Sequence, residues 1–400
     1  MARRNGSIDA FLRIGYCLLM AISSLKDTAW PFWPLLPLYP YGNRQTLRQE
    51  VLRDTLWTFE QLQGILYVAV PIRMSVIRLQ AGGLLVYAPI APTPECIHWV
   101  RELETIYGKV KYIVLPTTSG LEHKVFVGPF ARYFPDAEVW VAPNQWSFPL
   151  PLPLSWLGFP IGRTRVLPAN VEDSPFAEEF DYAILGPINL KLGAFVEVAL
   201  FHRESKTLLL TDMIVAVPEN PPAILQLDPY PLLFHARDSA ADDIIDTENN
   251  RRKGWQRLSL FAFYFRPSAV EPINWKQTFA EARLAGDRSK KNYFGLYPFY
   301  WRENWIDSFK ALWDHGRPFV APVLQTLILN RAPSETLAWA EAITQWDFER
   351  IIPCHFQAPL TTDKQQFIDS FNFLKNQASL PEADFCLLRQ IDHWLARWGI

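Results

Sequence analysis

The chain has 400 residues, 49% of them hydrophobic and 14% aromatic, enough for one large α/β domain or two ordinary ones with a sizeable buried core. Lys and Arg number 39 against 41 Asp and Glu, so the net charge of -2 excludes a general electrostatic attraction to nucleic acid. The four cysteines, Cys17, Cys96, Cys354 and Cys386, are widely spaced and form no CxxC pair, which excludes a disulfide scaffold and suits a reducing compartment.

At the N-terminus a mildly basic stretch precedes IGYCLLMAISSL, an uncharged, mostly apolar run too short for a bilayer span of roughly 20 residues. It has the length of a signal-peptide apolar region, but Ser23, Ser24, Leu25 and Lys26 offer no clean small-x-small cleavage site. The following DTAWPFWPLLPLYPYG is rich in Trp, Pro and Leu. Its prolines exclude a continuous helix, so it must pack on the domain, enter a membrane interface or meet a partner.

From Trp57 the pattern becomes regular. GILYVAVPI and MSVIRLQ read as strands, Ala81-Gly82-Gly83 as a turn, and LLVYAPI as the next strand of a meander. Thr93 predicts a helix cap with Pro94 in first position, Ile97, Val100 and Leu103 on one side, and Gly108 as the stop. VKYIVLP is a nearly all-apolar strand, as in a sheet covered on both faces. The loop that follows it carries Thr117, Thr118, Ser119 and Gly120, then Glu122 beside His123.

VFVGPFARYFP reads as a helix interrupted or begun at Gly128-Pro129, and AEVWVAP as another buried strand. WSFPLPLPLSWLGFP is either an ordered loop over the core or a membrane or partner contact. AFVEVALF, the polar turn HRESK and TLLLTD form a hairpin ending on Asp212. Residues from about 235 to 330, with basic clusters at Arg251-Arg252-Lys253 and Lys290-Lys291, read as a mostly helical insertion. Within it DSAADDIIDTE gathers acids without the glycine and spacing of a calcium loop, and reads as a solvated helix face. SETLAWAEAITQWD is a helix with a capping Ser, ERIIPCH a strand that delivers His355, and PEADFCLLRQIDHWLARWG an amphipathic helix. The expected division is an apolar Trp/Pro-rich segment 1–55, a domain 56–360 carrying the insertion, and a C-terminal helical segment 361–400 packed on it. There is no P-loop, no GxGxxG after a strand and no GxSxG elbow, so nucleotide binding and serine hydrolysis have no support.

This order of elements, and the text KYIVLPTTSGLEHKVFVGPFARYFPDAEVWVAP in particular, resembles the metallo-β-lactamase superfamily. The resemblance implies an α/β fold, a four-layer αββα sandwich. In that family Thr-His-x-His-x-Asp-His follows a buried strand, with a further His before a hairpin, a bridging Asp closing it, and a last His after a late strand. Here Thr117 falls on the motif's Thr, Thr118 on its first His, Gly120 on its second, Glu122 on its Asp and His123 on its final His. Ala88 stands where the family has its first Asp, and the mid-chain His has no counterpart. Asp212 in LLLTD matches the bridging Asp, and His355 in IIPCHF the terminal His.

The resemblance therefore implies that one of the family's two metal sites is lost, while Glu122, His123, Asp212 and His355 remain as ligands for the other. Two imidazoles and two carboxylates suit one divalent ion such as Zn, Fe or Mn. One metal without its neighbour favours hydrolysis of an ester, thioester or amide over phosphodiester chemistry. The bland alternative is that Glu122 caps the next helix and the two histidines are satisfied side chains, with no metal bound. Cys354 and His355 are strand neighbours that point to opposite faces, which makes joint catalysis by that pair unfavourable.

WPFWPLLPLYPYG, VPIRMSVIRL, GGLLVYAPIAPTPEC and VAPNQWSFPLPLPLSWLG are further similar to an uncharacterised family of cyanobacterial and plastid proteins, catalogued only as a domain of unknown function. That similarity implies a photosynthetic source and a cytoplasmic location, or one peripheral to the thylakoid membrane. Two readings stand: a mononuclear metal-dependent hydrolase with a small-molecule substrate, or a catalytically inactive pseudoenzyme serving as a membrane-peripheral or protein-interaction module. In either, the N-terminal and 146–160 Trp/Pro segments are the expected membrane contacts, and nucleic acid is not a partner.

Overall fold

The computed structural model describes residues 38–397, apart from 41–43, 120–121, 147–151, 192, 376 and 378–379. The apolar run near the N-terminus, most of the first Trp/Pro tract, the core of the second and Gly120 therefore lie outside the described residues.

The described strands form two sheets. The first holds eight, in the order β1 (Leu38–Tyr39), β3 (Leu56–Ile65), β4 (Val68–Arg78), β5 (Leu84–Tyr87), β6 (Val110–Leu115), β7 (Glu138–Val141) and β8 (Thr164–Val166), with β2 (Leu47–Leu52) also paired to β3. The second holds five: β13 (Leu360–Thr361), β12 (Arg350–Pro353), β11 (Thr207–Leu210), β10 (Ala194–His202) and β9 (Phe180–Asn189). β5 to β8 run parallel and β11 is parallel to β12, while the rest are antiparallel.

Strict alternation along the strands builds the layers. Leu84 and Val86 of β5 face a core made with the helices Pro94–Tyr107 and Lys124–Ala131, whereas Leu85 and Tyr87 face the second sheet. From that sheet Val196, Val198 and Leu200 of β10, Leu209 and Ile352 meet them in the central core. Tyr87 crosses that core, its hydroxyl 3.1 Å from Val198 O and 3.3 Å from Leu209 O. Phe201, Leu208, Leu210 and Ile351 point the opposite way, into a third core shared with the helices between residues 223 and 343. The result is a four-layer αββα sandwich, as the resemblance implies.

Several local expectations hold. Thr93 caps its helix by accepting from Cys96 N at 3.2 Å, and Gly108 ends it at φ 99°. The helix after the Glu122-His123 loop carries Pro129 inside it rather than at a break, and crosses residue 158 so closely that a Cβ at Gly128 would lie 2.1 Å from Gly158 O. Three readings are corrected. GILYVAVPI is not one strand: the chain turns back at Leu66 and Tyr67, both with positive φ (53° and 61°), so β3 and β4 form a tight hairpin without the usual Asn-Gly signal. The helix over SETLAWAEAITQWD begins at Pro333 with Ala332 before it, and Ser334 is no cap. The acidic stretch at 238–246 is an exposed turn in which Asp242 accepts the N–H groups of Asp238 and Ser239. Residues 44–55 join the sheet through β2, Thr46 and Arg48, the last paired with Glu102 at 2.8 Å.

Candidate metal centre

The second and first sheets meet at one end through two isolated bridges, Ile72 with His355 and Thr117 with Glu197. At this end the carboxyl termini of β6, β11 and β12 deliver Glu122, Asp212 and His355 to one place. The His355 Nε2 atom lies 3.1 Å from Glu122 Oε2 and 3.0 Å from Asp212 Oδ1. One potential ligand atom from each of the three falls within 4.8 Å of the others, and His355 is the most enclosed, with a side chain 9% exposed against 34% and 27% for the acids.

Each group is held from behind. His355 turns Nδ1 to Pro71 O on β4 at 3.0 Å, which fixes the ring and aims Nε2 at the carboxylates. Arg73, two residues on, clasps the same turn from both sides: it donates to Pro353 O and, at 2.6 Å, to Phe356 O, while Glu60 balances its buried charge at 2.6 Å. Asp212 is set by its own backbone. The N–H groups of Thr211, Asp212 and Met213 all point to the carboxylate of Glu197 at 2.9 to 3.3 Å, so the turn after β11 is folded around a fully buried acid. A shift of register between Phe195 and Glu197 in β10 aims that side chain. Asp212 also accepts from Ser119 Oγ at 3.2 Å, which ties it to the loop after β6.

The charges interlock. Burial opposes a positive ring at His355, but the Glu122 carboxylate and the hydrogen bonds to Asp212 and Glu122 outweigh it and hold its pKa well above the ordinary value. Burial also opposes the charge on Asp212, yet the His355 contact keeps that acid below the usual range. Burial and the nearby Asp212 push Glu197 up to about 7, against the pull of its backbone donors.

His123 stands beside this cluster and outside the group of three. Its Nδ1 faces Pro89 O at 3.2 Å, the counterpart of the His355–Pro71 contact, and its ring centre is 6.2 Å from that of His355. Its Nε2 is buried with no hydrogen-bond partner among the described residues, and burial holds the ring neutral by lowering its pKa. Two imidazoles on one tetrahedral ion, with metal–nitrogen distances of about 2.1 Å, bring their ring centres to about 5 Å. His123 would thus have to approach by about an ångström to complete the expected four.

Where the resemblance puts the lost metal site, the described protein is closed. Thr118 Oγ1 donates to Ala194 O at 2.6 Å and accepts from Val196 N at 2.9 Å, which locks it into β10. The Trp146 indole donates to Ala194 O at 3.1 Å and covers Gly193, where a Cβ would fall 2.1 Å from the ring. Ala88 is buried in the central core. The three converging side chains, by contrast, fit one divalent ion: an oriented imidazole nitrogen and two carboxylate oxygens are a borderline-to-hard donor set.

Sequence reasoning missed Glu197, Arg73, Glu60 and Ser119. A signal for Glu197, Arg73 and Glu60 was present, since single charged residues in otherwise apolar strands, as in AFVEVALF and VPIRMSVI, need a buried partner. Cys354 is a buried thiol, and burial raises its pKa well above the ordinary value, so it is no nucleophile.

The family described as Domain of unknown function (DUF4336) matches residues 53–373. No curated protein matches. Among solved structures, the chain is similar to a flavoprotein from Thermotoga maritima at 9% identity and a TM-score of 0.40, covering 82% of this chain and 60% of that one. It thus spans less than two thirds of that relative's length. It is also similar to a metallo-β-lactamase from Pontibacter korlensis at 10% identity and TM-score 0.38, covering 83% and 100%, and to a metallo-β-lactamase from Pseudomonas aeruginosa in its mono-zinc form at 9% and 0.38, covering 84% and 97%.

Proposed function

For a chain that belongs to the family described as Domain of unknown function (DUF4336), whose description assigns no activity, we propose a degenerate metallo-β-lactamase-like hydrolase with one divalent metal ion. The observation that carries this reading is the convergence of Glu122 Oε2 and Asp212 Oδ1 on His355 Nε2, with Pro71 O holding the ring from behind. Glu122, Asp212 and His355 would hold the ion, with His123 as the fourth donor. Zn, Fe or Mn bound there would supply Lewis acidity for attack of water on an ester, thioester or amide of a small molecule.

The chain's own residues would do the rest. Asp212, kept ionised, would hold its charge against the site, and Ser119 would fix the orientation of that carboxylate. Glu197 would keep the turn rigid through its three backbone contacts. Among the described residues, the Thr118, Trp146 and Gly193 contacts occupy the place where a second ion would clamp a phosphodiester, which favours carbonyl substrates.

Metal analysis of protein purified without chelator tests this. The expected result is about one equivalent of transition metal, retained by wild type and lost in His355→Ala and Asp212→Asn. Less than about a tenth of an equivalent, unchanged by His355→Ala, would sink it.

A second reading has its own support. A charged His355 between two carboxylates satisfies all three groups without an ion. On that reading the protein is a catalytically inactive pseudoenzyme, a membrane-peripheral or protein-interaction module of the cytoplasm, peripheral to the thylakoid in photosynthetic cells. Among the described residues no helix is long and apolar enough to cross a membrane, so the contact would be made at the surface.

A further inference from the structure

Far from the Trp/Pro tracts in sequence, residues 271–294 form one exposed strip: the helix Trp275–Ala282, the turn after it and the short helical turn Lys290–Gly295. Its apolar side chains point outward. Ile273 is 42% exposed, Trp275 53%, Phe279 53%, Leu284 80% and Phe294 54%. Trp275 and Phe279, one helical turn apart, touch with ring centres at 6.0 Å, so they present one exposed edge, beside the side on which Thr278 and Ala282 are buried. The closing turn folds back on the helix end: a Cβ at Gly295 would sit 2.8 Å from Ala282 O and 2.9 Å from Ala285 Cβ. That close approach brings Phe294 beside the same strip.

Charge decides what this strip fits. Residues 271–294 hold five basic and three acidic side chains. Each acid has an intramolecular partner at the surface: Glu271 with Arg302 at 3.6 Å, Glu281 with Gln277 and Tyr300, and Asp287 with the N–H of Ser289. The side chains of Lys276, Arg283 and Arg288 are exposed and make no hydrogen bond or ion pair among the described residues. Lys276, Phe279 and Arg283 follow one another at three- and four-residue spacing, so cations lie next to the aromatic rings along one helix stripe. Aromatic and aliphatic tips between unpaired cations match an anionic lipid surface, where rings settle at the headgroup level and each nearby Lys or Arg adds attraction. A protein partner of matching shape would be served by flat apolar area without a row of uncompensated cations.

We propose that residues 271–294 form a docking face for an anionic bilayer surface, with Trp275, Phe279 and Leu284 inserting at the headgroup boundary and Lys276, Arg283 and Arg288 contacting lipid phosphates. This face is independent of the metal reading. Flotation of the full chain with vesicles of phosphatidylcholine alone, or of phosphatidylcholine mixed with phosphatidylglycerol, tests it. Wild type should float with the mixed vesicles and far less with the neutral ones, and salt at about 1 M, where the screening length is about 3 Å, should release most of it. The double variant Trp275→Ser/Phe279→Ser and, separately, Lys276→Glu/Arg283→Glu should each weaken partitioning by about tenfold or more. All four side chains are exposed, so both variants should keep the wild-type melting temperature. Equal flotation of wild type and both variants would place any membrane contact on other segments and overturn the proposal. So would no flotation of wild type, or a change in oligomeric state in the variants without a change in flotation.

Discussion

Arg73 is the residue on which the candidate centre leans most. Its guanidinium is 2% exposed and pairs with Glu60 at 2.6 Å, so it brings a buried charge into the first sheet. It uses that charge to hold the carbonyls on either side of His355. A buried pair of this kind does not by itself stabilise a fold, but removing one partner leaves the other charge uncompensated. Arg73→Met should therefore lower the unfolding free energy by about 3–5 kcal/mol, read by urea denaturation, and Arg73→Met/Glu60→Met should recover much of it. If His355 is a metal ligand, the double variant should also bind metal about 10- to 100-fold more weakly, because the turn carrying the ligand has lost its support. Affinity equal to wild type in the stable double variant would show that Pro71 O alone orients the ring. Local text made the four ligand candidates legible, as Glu122-His123 after a buried strand, Asp212 closing a hairpin and His355 after a late strand. The supports Glu60, Arg73 and Glu197 stood out only as lone charges in apolar strands; which groups they meet was not legible, because their partners lie 13 or more residues away and no local pattern marks such a contact.

At the scale of elements, alternation and caps identified most of what they govern. The helix from Thr93 to Gly108, the apolar strands β6 and β7 and the β10–β11 hairpin all follow from periodicity and end signals. The β3–β4 hairpin is the informative failure. Its two turn residues, Leu66 and Tyr67, adopt a left-handed backbone that costs an L side chain roughly 1–2 kcal/mol each. Tertiary contacts offset that cost at Tyr67, which is 2% exposed, donates to Lys291 O at 2.8 Å and packs against Tyr230 and Phe234. Leu66, at 42% exposed, has no comparable burial. Leu66→Asn keeps the turn and relieves the backbone, so it should stabilise the protein by about 1 kcal/mol, visible as a higher melting temperature. Tyr67→Asn, in contrast, should destabilise despite the same backbone relief, since it removes a buried ring and its hydrogen bond. A Leu66→Asn variant less stable than wild type would mean that the side chain has a packing role beyond its visible exposure.

Over the whole molecule, the buried groups His202, His235, His123 and Glu197 give stability near neutral pH opposing slopes. Burial pushes His202 down to about 4, with Glu204 opposing weakly, and burial pushes His235 down to about 3. An unfolded histidine titrates near 6.5, so between there and about 4 the unfolded chain takes up two protons that the folded chain refuses. Stability from these two is full above about 6.5 and falls as the pH drops toward their folded values. Glu197 works the other way. Its pKa rises from 4.5 to about 7, so the folded chain holds a proton that the unfolded chain has released, and stability falls as the pH climbs through that window. His202 and His235 against Glu197 leave a net loss of about 1.4 kcal/mol per pH unit on acidification from about 6.5 toward 4.5, and His123, whose pKa burial also lowers, steepens it. Above about 6.5 the histidine effect ends, and Glu197 turns the slope over. His355 adds to that descent, because its raised pKa stabilises the fold fully below 6.5 and less as the pH passes its folded value. Metal-free protein should therefore be most stable near pH 6.5, as read by melting temperature across a pH series. His235→Phe, which keeps a ring among Phe234, Phe261 and Phe299, should remove about one proton of the acid-side slope and make that limb shallower by about 1.4 kcal/mol per pH unit. A wild-type profile already flat between pH 4.5 and 6.5 would mean that these histidines take up protons in the folded chain, with water reaching His202 beside Phe180 in the central core and His235 in the third core.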